Sequence, residues 1–290
     1  MFEGSYVAII TPFKDGNVDL DKLNELVEFH VANGTAGIVP CGTTGESATL
    51  SHEEHEMVIE TVVRAAKKRV KVMAGTGSNN TAEAIELTRY AEEIGCDGAL
   101  LIAPYYNKPT QKGLYLHFKA VADAVKIPIV IYNIQSRTAV NILPETLARI
   151  VCECNNVVAV KEASGSLEQM AMVHALCPRI DVLSGDDALT LPLLSIGGTG
   201  VISVVANIVP HDVAGMISAF KAGDLTKARE LHYKLLPLVK AMFIETNPIP
   251  VKTAMAMKGM CAGELRLPMC AMEDANREKL VKAMKEYGLL

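Results

Sequence analysis

VVAVKEA, residues 157–163, is a short apolar run followed by a lysine, a glutamate and an alanine. A run of this length, rich in β-branched residues, is typical of a strand covered on both faces. Because strand side chains alternate, Val157, Ala159 and Lys161 are predicted to point to the same side. Burial lowers a lysine pKa, and a neutral amine can attack a carbonyl to form a Schiff base. The plainer alternative is a strand-end lysine that reaches solvent or pairs with Glu162.

Similar runs alternate with helical patterns along the chain. The predicted strands are Ser5–Thr11, Gly37–Cys41, Val70–Thr76, Gly98–Pro104, Ile127–Asn133, Val157–Ala163, Asp181–Gly185 and Gly200–Ala206. The predicted helices are Asp19–Ala32, Ser51–Lys67, Thr81–Ile94, Gly113–Val125, Pro144–Cys154, Ser166–Leu176, Asp187–Ser195 and Pro210–Ala222. Ser51 and Glu54 have the spacing of a capping box, which supports a helix start there.

Eight strands that alternate with helices predict parallel pairing in a (β/α)8 barrel over residues 1–223. The alternative is an open doubly wound sheet, which usually carries a glycine-rich turn after its first strand. The sequence TPFK at residues 11–14 is not such a turn. Residues 224–290 break the alternation and predict a C-terminal domain of three helices, Leu225–Phe243, Pro250–Met260 and Asp274–Tyr287.

Composition narrows the functional class. The chain has 290 residues, half of them hydrophobic, and a net charge of −5, which gives no basic surface for nucleic acid. No apolar stretch is long enough to span a membrane. The N-terminal region lacks a secretory pattern, and the seven cysteines are interpreted as reduced thiols, so a cytoplasmic location is expected. Acidic residues and histidines lack metal-site spacing at the strand ends, so no metal is expected.

In a barrel of this kind the active site lies at the carboxyl ends of the strands. These ends carry CGTTGES at residues 41–47, Tyr105 and Tyr106, Tyr132 and Asn133 with Arg137 four residues on, Lys161 and Glu162, and Gly185 to Asp187. Taken singly, each has a plainer interpretation: a tight turn at Gly42–Gly45, aromatic packing at the tyrosines, or a solvated charge at Arg137. Together they predict one mouth lined by hydroxyls, a guanidinium and a lysine.

Three of these groups together resemble the pyruvate-dependent class I aldolases, the family that includes N-acetylneuraminate lyase. They are GTTGE at residues 42–46, Tyr132-Asn133 with Arg137, and Lys161 within VKEA at residues 160–163. The resemblance extends from TPF at residues 11–13 to ETNPIPVK at 245–252 and LRLP at 265–268. It implies a Schiff-base enzyme that needs no cofactor and forms a homo-oligomer, expected to be a tetramer built as a dimer of dimers.

Within this family, the threonine pair and Arg137 resemble the members that condense pyruvate with L-aspartate 4-semialdehyde. That reaction is the first committed step towards diaminopimelate and lysine. Sialic acid lyases typically carry Ser-Thr in the first motif and lack the arginine. One departure is Gln135, which stands where the condensing enzymes usually have a proline that stiffens the loop before the arginine.

The resemblance also implies a role for each site residue. Lys161 is the nucleophile, and its proton relay is formed by Tyr132, Thr43 and Tyr106, the last reaching across from a neighbouring subunit. The implied substrate-binding residues are Thr44 for the pyruvate carboxylate, Arg137 for the semialdehyde carboxylate, and Gly185 and Ile202 lining the pyruvate pocket.

Feedback inhibition by L-lysine is a further expectation. Seven positions match the lysine site of lysine-sensitive family members: Ser47, Ala48, His52, His55, Asn79, Glu83 and Tyr105. His52 and His55 are three apart on a predicted helix and so share a face, and Glu83 suits an ammonium group. Considered alone, the two histidines are ordinary surface residues.

Two other functions stay open on the sequence. A related lyase of the same fold would act on a sugar acid or another 2-oxo acid, and a panel of substrates would distinguish it. A non-catalytic barrel that binds a ligand would be expected to have lost the lysine or a tyrosine, and both are present.

Overall fold

The computed structural model describes residues 1–290, and eight of its strands form one closed barrel. The barrel strands are β1 (Gly4–Ala8), β4 (Gly37–Val39), β5 (Lys71–Gly75), β6 (Gly98–Ile102), β7 (Ile129–Asn133), β8 (Val157–Glu162), β9 (Asp181–Ser184) and β10 (Gly200–Ser203). Each strand lies beside the next barrel strand in sequence, and β10 lies beside β1. The predicted (β/α)8 barrel is therefore confirmed.

Twelve helices accompany the barrel. They are α1 (Leu20–Ala32), α2 (His52–Ala66), α3 (Thr81–Glu93), α4 (Gln111–Ala124), α5 (Gln135–Thr138), α6 (Pro144–Glu153), α7 (Leu167–Leu176), α8 (Thr190–Ser195), α9 (Pro210–Lys221), α10 (Leu225–Ala241), α11 (Ile249–Met257) and α12 (Asp274–Tyr287). The capping box of Ser51 and Glu54 is present at the start of α2. No helix combines the length and the apolar character needed to cross a membrane.

Local departures from the predicted elements are small. Seven of the eight barrel strands end one to three residues earlier than predicted, because their last residues leave the ladder to begin the loops, and β7 ends at Asn133 as predicted. The predicted helix Asp187–Ser195 is a 3-10 turn at Asp187–Leu189 followed by α8. A hairpin of β2 (Phe13–Lys14) and β3 (Asn17–Val18) and the short helix α5 were not predicted.

The chain forms two compact units, each made of two segments. One contains Met1–Gly4 and Val72–Ile202, and the other contains Ser5–Lys71 and Ser203–Leu290. Three helices occur after residue 223 as expected, but their status as a separate domain, 224–290, stays a prediction.

Within the first unit, β8, the strand that carries Lys161, pairs with β7 on one side and β9 on the other. Tyr132 pairs with Lys161 and Asn133 with Glu162, and Glu162 also pairs with Ser184 of β9. The pairing of β7 with β8 shifts between Ile129 and Val130, so Val158 has no opposite residue. A close approach elsewhere requires glycine: a Cβ on Gly200 would lie 2.1 Å from the carbonyl oxygen of Gly4.

Candidate active site

Lys161 lies one residue before the end of β8 and is only 7% exposed. Its Nζ atom is 4.1 Å from the centre of the Tyr132 ring. Burial lowers the pKa of Lys161 from its ordinary 10.5 to about 7; the Asp187 carboxylate opposes this shift and the Arg137 guanidinium adds to it. A substantial fraction of the amine is therefore neutral near pH 7, as nucleophilic attack on a carbonyl requires.

Tyr132 supplies a hydroxyl group beside this amine. The side chain is 6% exposed, and burial raises its pKa well above the usual range, with Arg137 opposing that shift. The phenol therefore keeps its proton at physiological pH. In this form it can donate a proton or pass one on, but it does not carry a fixed negative charge.

Gly185 directly follows β9, and Ile202 is the next-to-last residue of β10. A Cβ on Gly185 would lie 3.2 Å from Cε of Lys161 and 2.6 Å from Cβ of Ala163. Only glycine leaves the lysine stem this space. Ile202 on β10 is 1% exposed and presents an apolar side chain.

A buried polar network that the sequence did not predict connects the ends of β7 and β8. The Asn133 amide donates to both carboxylate oxygens of Glu162 at 3.2 Å and to Asn141 Oδ1 at 2.8 Å. Gln169 Nε2 donates to Glu162 Oε2 at 3.0 Å, and Asn141 Nδ2 donates to Gln169 Oε1 at 2.7 Å. Glu162, the plainer candidate partner for Lys161, is thus occupied by amides that fix the two strand ends relative to each other.

Arg137 is exposed and lies on α5, in the segment between Asn133 and Asn141. Gln135 is the first residue of this helix. Proline suits the same position, because the first backbone N–H groups of a helix have no partner within it. Thr138 ends α5 and donates to the carbonyl of Ile134 at 2.9 Å. The turn that carries Arg137 therefore forms without the proline.

The threonine loop, residues 42–47, follows β4 in the other compact unit. Thr44 is 2% exposed, whereas Thr43 is half-buried. The Thr44 hydroxyl accepts a hydrogen bond from Asn247 Nδ2 at 3.0 Å, and the carbonyl of Gly45 accepts one from Thr11 Oγ1 at 2.6 Å. The loop is therefore held by one hydrogen bond at Thr44 and another at the adjacent Gly45.

Tyr106 is the most exposed aromatic side chain of the predicted site, at 89%, and has a left-handed φ of 71°. In the same unit Asn79 Nδ2 donates to the carbonyl of Tyr105 at 3.2 Å, and Glu83 accepts a hydrogen bond from Ser78. Three residues of the predicted lysine site, Asn79, Glu83 and Tyr105, thus belong to one small region.

The other four residues of that site belong to the second unit: Ser47, Ala48, His52 and His55. On α2, His52 is exposed and His55 is 6% exposed. No three side chains of histidine, cysteine, aspartate and glutamate converge in a way that would hold a metal ion.

Comparison with known proteins gives a consistent result. The model of the dihydrodipicolinate synthetase family matches residues 1–287. The chain is 61% identical to the 4-hydroxy-tetrahydrodipicolinate synthase of Endomicrobium trichonymphae over the full length of both. The chloride-inhibited dihydrodipicolinate synthase from Acinetobacter baumannii, complexed with pyruvate, matches with a TM-score of 0.97 and 44% identity over 100% of both chains. The enzyme from Cyanidioschyzon merolae with lysine bound matches with a TM-score of 0.97 and 41% identity, covering 100% of this chain and 99% of the other.

Proposed function

This chain belongs to the dihydrodipicolinate synthetase family, and we propose that its condensation of pyruvate with L-aspartate 4-semialdehyde proceeds through a Schiff base on Lys161. The observation that carries this proposal is the burial of Lys161 against Tyr132, which brings its pKa to about 7. At its ordinary pKa of 10.5, only about one lysine in three thousand would be neutral at pH 7.

The reaction begins when the Lys161 amine attacks the ketone carbon of pyruvate and water leaves. The resulting protonated imine withdraws electrons, so the pyruvate methyl group loses a proton and becomes an enamine. The enamine carbon attacks the aldehyde carbon of the second substrate, and the aldehyde oxygen takes up a proton. Attack of that substrate's amine on the imine carbon then closes the ring and releases Lys161, giving 4-hydroxy-tetrahydrodipicolinate.

Protein side chains move the protons and hold the substrates. Tyr132, Thr43 and Tyr106 form the proton relay, and the protonated state of Tyr132 supports its part in it. Thr44 binds the pyruvate carboxylate, while Gly185 and Ile202 line the pocket around the pyruvate carbons. Arg137 binds the carboxylate of the semialdehyde, for which a guanidinium is well suited. Lysine supplies the electrophilic activation itself, so the chemistry calls for no cofactor.

The active form is a homo-oligomer, a tetramer built as a dimer of dimers, in the cytoplasm. The exposure of Tyr106 supports this assembly, because a side chain with 89% of its surface free can reach a neighbouring subunit. Sedimentation under assay conditions tests it, and a fully active monomer would exclude the role of Tyr106 in a partner's relay.

L-lysine is the proposed feedback inhibitor, in keeping with the lysine bound to the Cyanidioschyzon merolae enzyme. The proposed site consists of Ser47, Ala48, His52, His55, Asn79, Glu83 and Tyr105. Tyr105 and Tyr106 are adjacent, so lysine held at Tyr105 would disturb the relay tyrosine.

Borohydride reduction in the presence of pyruvate tests the Schiff base. The peptide that carries Lys161 should gain a stable carboxyethyl group, and the Lys161→Arg variant should gain none. Lys252 is a matched internal control, because it is also buried but forms an ion pair with Glu46. Modification of Lys252, or of any lysine other than Lys161, would overturn the assignment.

A further inference from the structure

The C-terminal segment 247–266 binds the threonine loop at two of its residues. Asn247 donates to the hydroxyl of Thr44, and Lys252 forms an ion pair with Glu46. Both members of the ion pair have side chains that are 1% exposed, and the second oxygen of Glu46 accepts the backbone N–H of Arg266 at 3.1 Å. The loop that carries Thr44, the residue proposed to bind the pyruvate carboxylate, is therefore anchored by residues that are 203 to 220 positions away along the chain.

The contact with Asn247 determines what the Thr44 hydroxyl can do. A hydroxyl has one proton to donate and lone pairs that accept, whereas an amide NH2 group only donates. Because Asn247 Nδ2 points at Thr44 Oγ1 at 3.0 Å, the oxygen acts as acceptor in this contact. The Thr44 proton has to point elsewhere, and the hydroxyl donates no hydrogen bond to a protein acceptor. The hydroxyl is thus left as a donor for a ligand.

The ion pair holds the loop in its unusual backbone shape. Glu46 has a left-handed φ of 53°, a conformation that residues other than glycine rarely adopt. Lys252 donates to Glu46 Oε1 and also to the carbonyl of Glu264 at 2.9 Å. The Phe13 ring lies 4.1 Å from Lys252 Nζ, which leaves little space for another arrangement. Thr44 is thereby fixed two residues before an anchored turn.

We propose that Asn247 is a positioning residue for the substrate carboxylate. Asn247 takes no part in the chemistry itself but directs the Thr44 hydroxyl proton towards pyruvate. The ion pair of Lys252 and Glu46 holds the threonine loop in the shape that this requires. This inference rests on the proposed role of Thr44 in binding the pyruvate carboxylate.

Steady-state kinetics on two variants at position 247 test the proposal. Asn247→Ala removes the donor and should raise the KM for pyruvate about tenfold. Asn247→Asp keeps the shape but provides an acceptor, which can draw the Thr44 proton away from the ligand, so its KM for pyruvate should rise further. The KM for L-aspartate 4-semialdehyde should change less than twofold in both. Thermal unfolding of each variant checks that it is folded. If Asn247→Ala does not fold, the isosteric Asn247→Asp still tests the proposal.

Two further variants separate this inference from the proposed function. Thr44→Val should raise the KM for pyruvate but not the KM for L-aspartate 4-semialdehyde. If the KM for pyruvate is unchanged, the role of Thr44 in the proposed function fails. Adding Asn247→Ala to Thr44→Val should then have no additional effect, because Asn247 acts through the hydroxyl. Full additivity in this cycle, or an unchanged pyruvate KM in folded Asn247→Ala, would overturn the role of Asn247.

Asn276→Ala is a matched control in the same C-terminal region. Its amide donates to Glu245 Oε1 at 2.9 Å and forms no hydrogen bond with the threonine loop. The control should leave the pyruvate KM unchanged, whereas an increase equal to that of Asn247→Ala would show that any loss of packing in this region has the same effect and would overturn the proposal.

Discussion

The Nζ atom of Lys161 lies 4.1 Å from the centre of the Tyr132 ring, on the neighbouring strand of the barrel. The face of an aromatic ring attracts cations, yet burial dominates and the lysine pKa still falls to about 7. The protonated imine proposed on Lys161 would also be a cation at nearly the same position. Under this proposal, Tyr132 would stabilise the intermediate while leaving the free amine able to react.

The first prediction concerns the pH dependence of imine formation. Since the neutral amine reacts, the rate of pyruvate trapping should fall as the pH drops below about 7. Asp187 raises the pKa of Lys161 and Arg137 lowers it, so Asp187→Asn should move the acid limb to lower pH and Arg137→Ala should move it to higher pH. Rapid-quench borohydride trapping across pH 5–9 measures both, and equal profiles for the two variants would contradict this account.

A second prediction concerns substrate discrimination by Arg137. Arg137→Ala should raise the KM for the semialdehyde by about 10- to 150-fold, since a charge-assisted contact contributes roughly 1.5–3 kcal/mol. The KM for pyruvate should change far less. An equal effect on both substrates would argue against the assignment.

Gln135→Pro provides the matched control for that measurement. Ile134, which precedes it, has φ −149° and ψ 82° and so lies outside the α region, which is the region that a following proline disfavours. The variant should therefore keep the KM of the parent for both substrates, and a large loss would show that the first turn of α5 depends on glutamine.

The buried ion pair of Lys252 and Glu46 leads to a stability prediction. Lys252→Met leaves the Glu46 carboxylate without its ammonium partner in a site that is 1% exposed. Removal of one member of such a pair costs about 3–5 kcal/mol of unfolding free energy. The double variant Lys252→Met with Glu46→Gln should regain a large part of that loss, because no buried charge remains. Denaturant unfolding checks both, and a double variant less stable than the single one would contradict the explanation.

A fourth prediction concerns acid stability. Burial lowers the pKa of His30 from 6.5 to about 3 in the folded chain. Between these values the unfolded chain binds more protons, so stability is fully present above pH 6.5 and falls as the pH drops towards 3. His30→Gln should flatten the unfolding free energy over this interval. Chemical denaturation at several pH values measures the slope, which would stay as in the parent if another group were responsible.

The fifth prediction concerns L-lysine. A lysine titration at saturating pyruvate should inhibit the parent in a graded manner, since allosteric coupling is typically 1–3 kcal/mol. Glu83→Ala should weaken the response, whereas Glu86→Ala, exposed on the same helix, should not. An unresponsive parent at tens of millimolar lysine would remove the site, and a response that survives Glu83→Ala would place it elsewhere.

The elements of the barrel could be predicted because short apolar runs alternate with helical patterns eight times along the chain. The pairs Phe13–Lys14 and Asn17–Val18 are too short to show such a pattern, and so is the single turn of α5. Partners of the site residues were harder to predict. Asn247 lies 203 positions from Thr44 and Lys252 lies 206 positions from Glu46, so no spacing rule connects them. Glu162 gave a misleading signal, because adjacency suggested Lys161 as its partner whereas register gave it Asn133.

The division of the chain into interleaved units also constrains how the protein is made. Residues 5–71 belong to one unit with residues 203–290. On the ribosome this early segment cannot complete its contacts until the last part of the chain has emerged. The unit that contains residues 72–202 has all its segments as soon as residue 202 is free. Lys161 and Tyr132 therefore belong to a unit that needs no residue after 202, whereas Thr44 depends on a contact with Asn247.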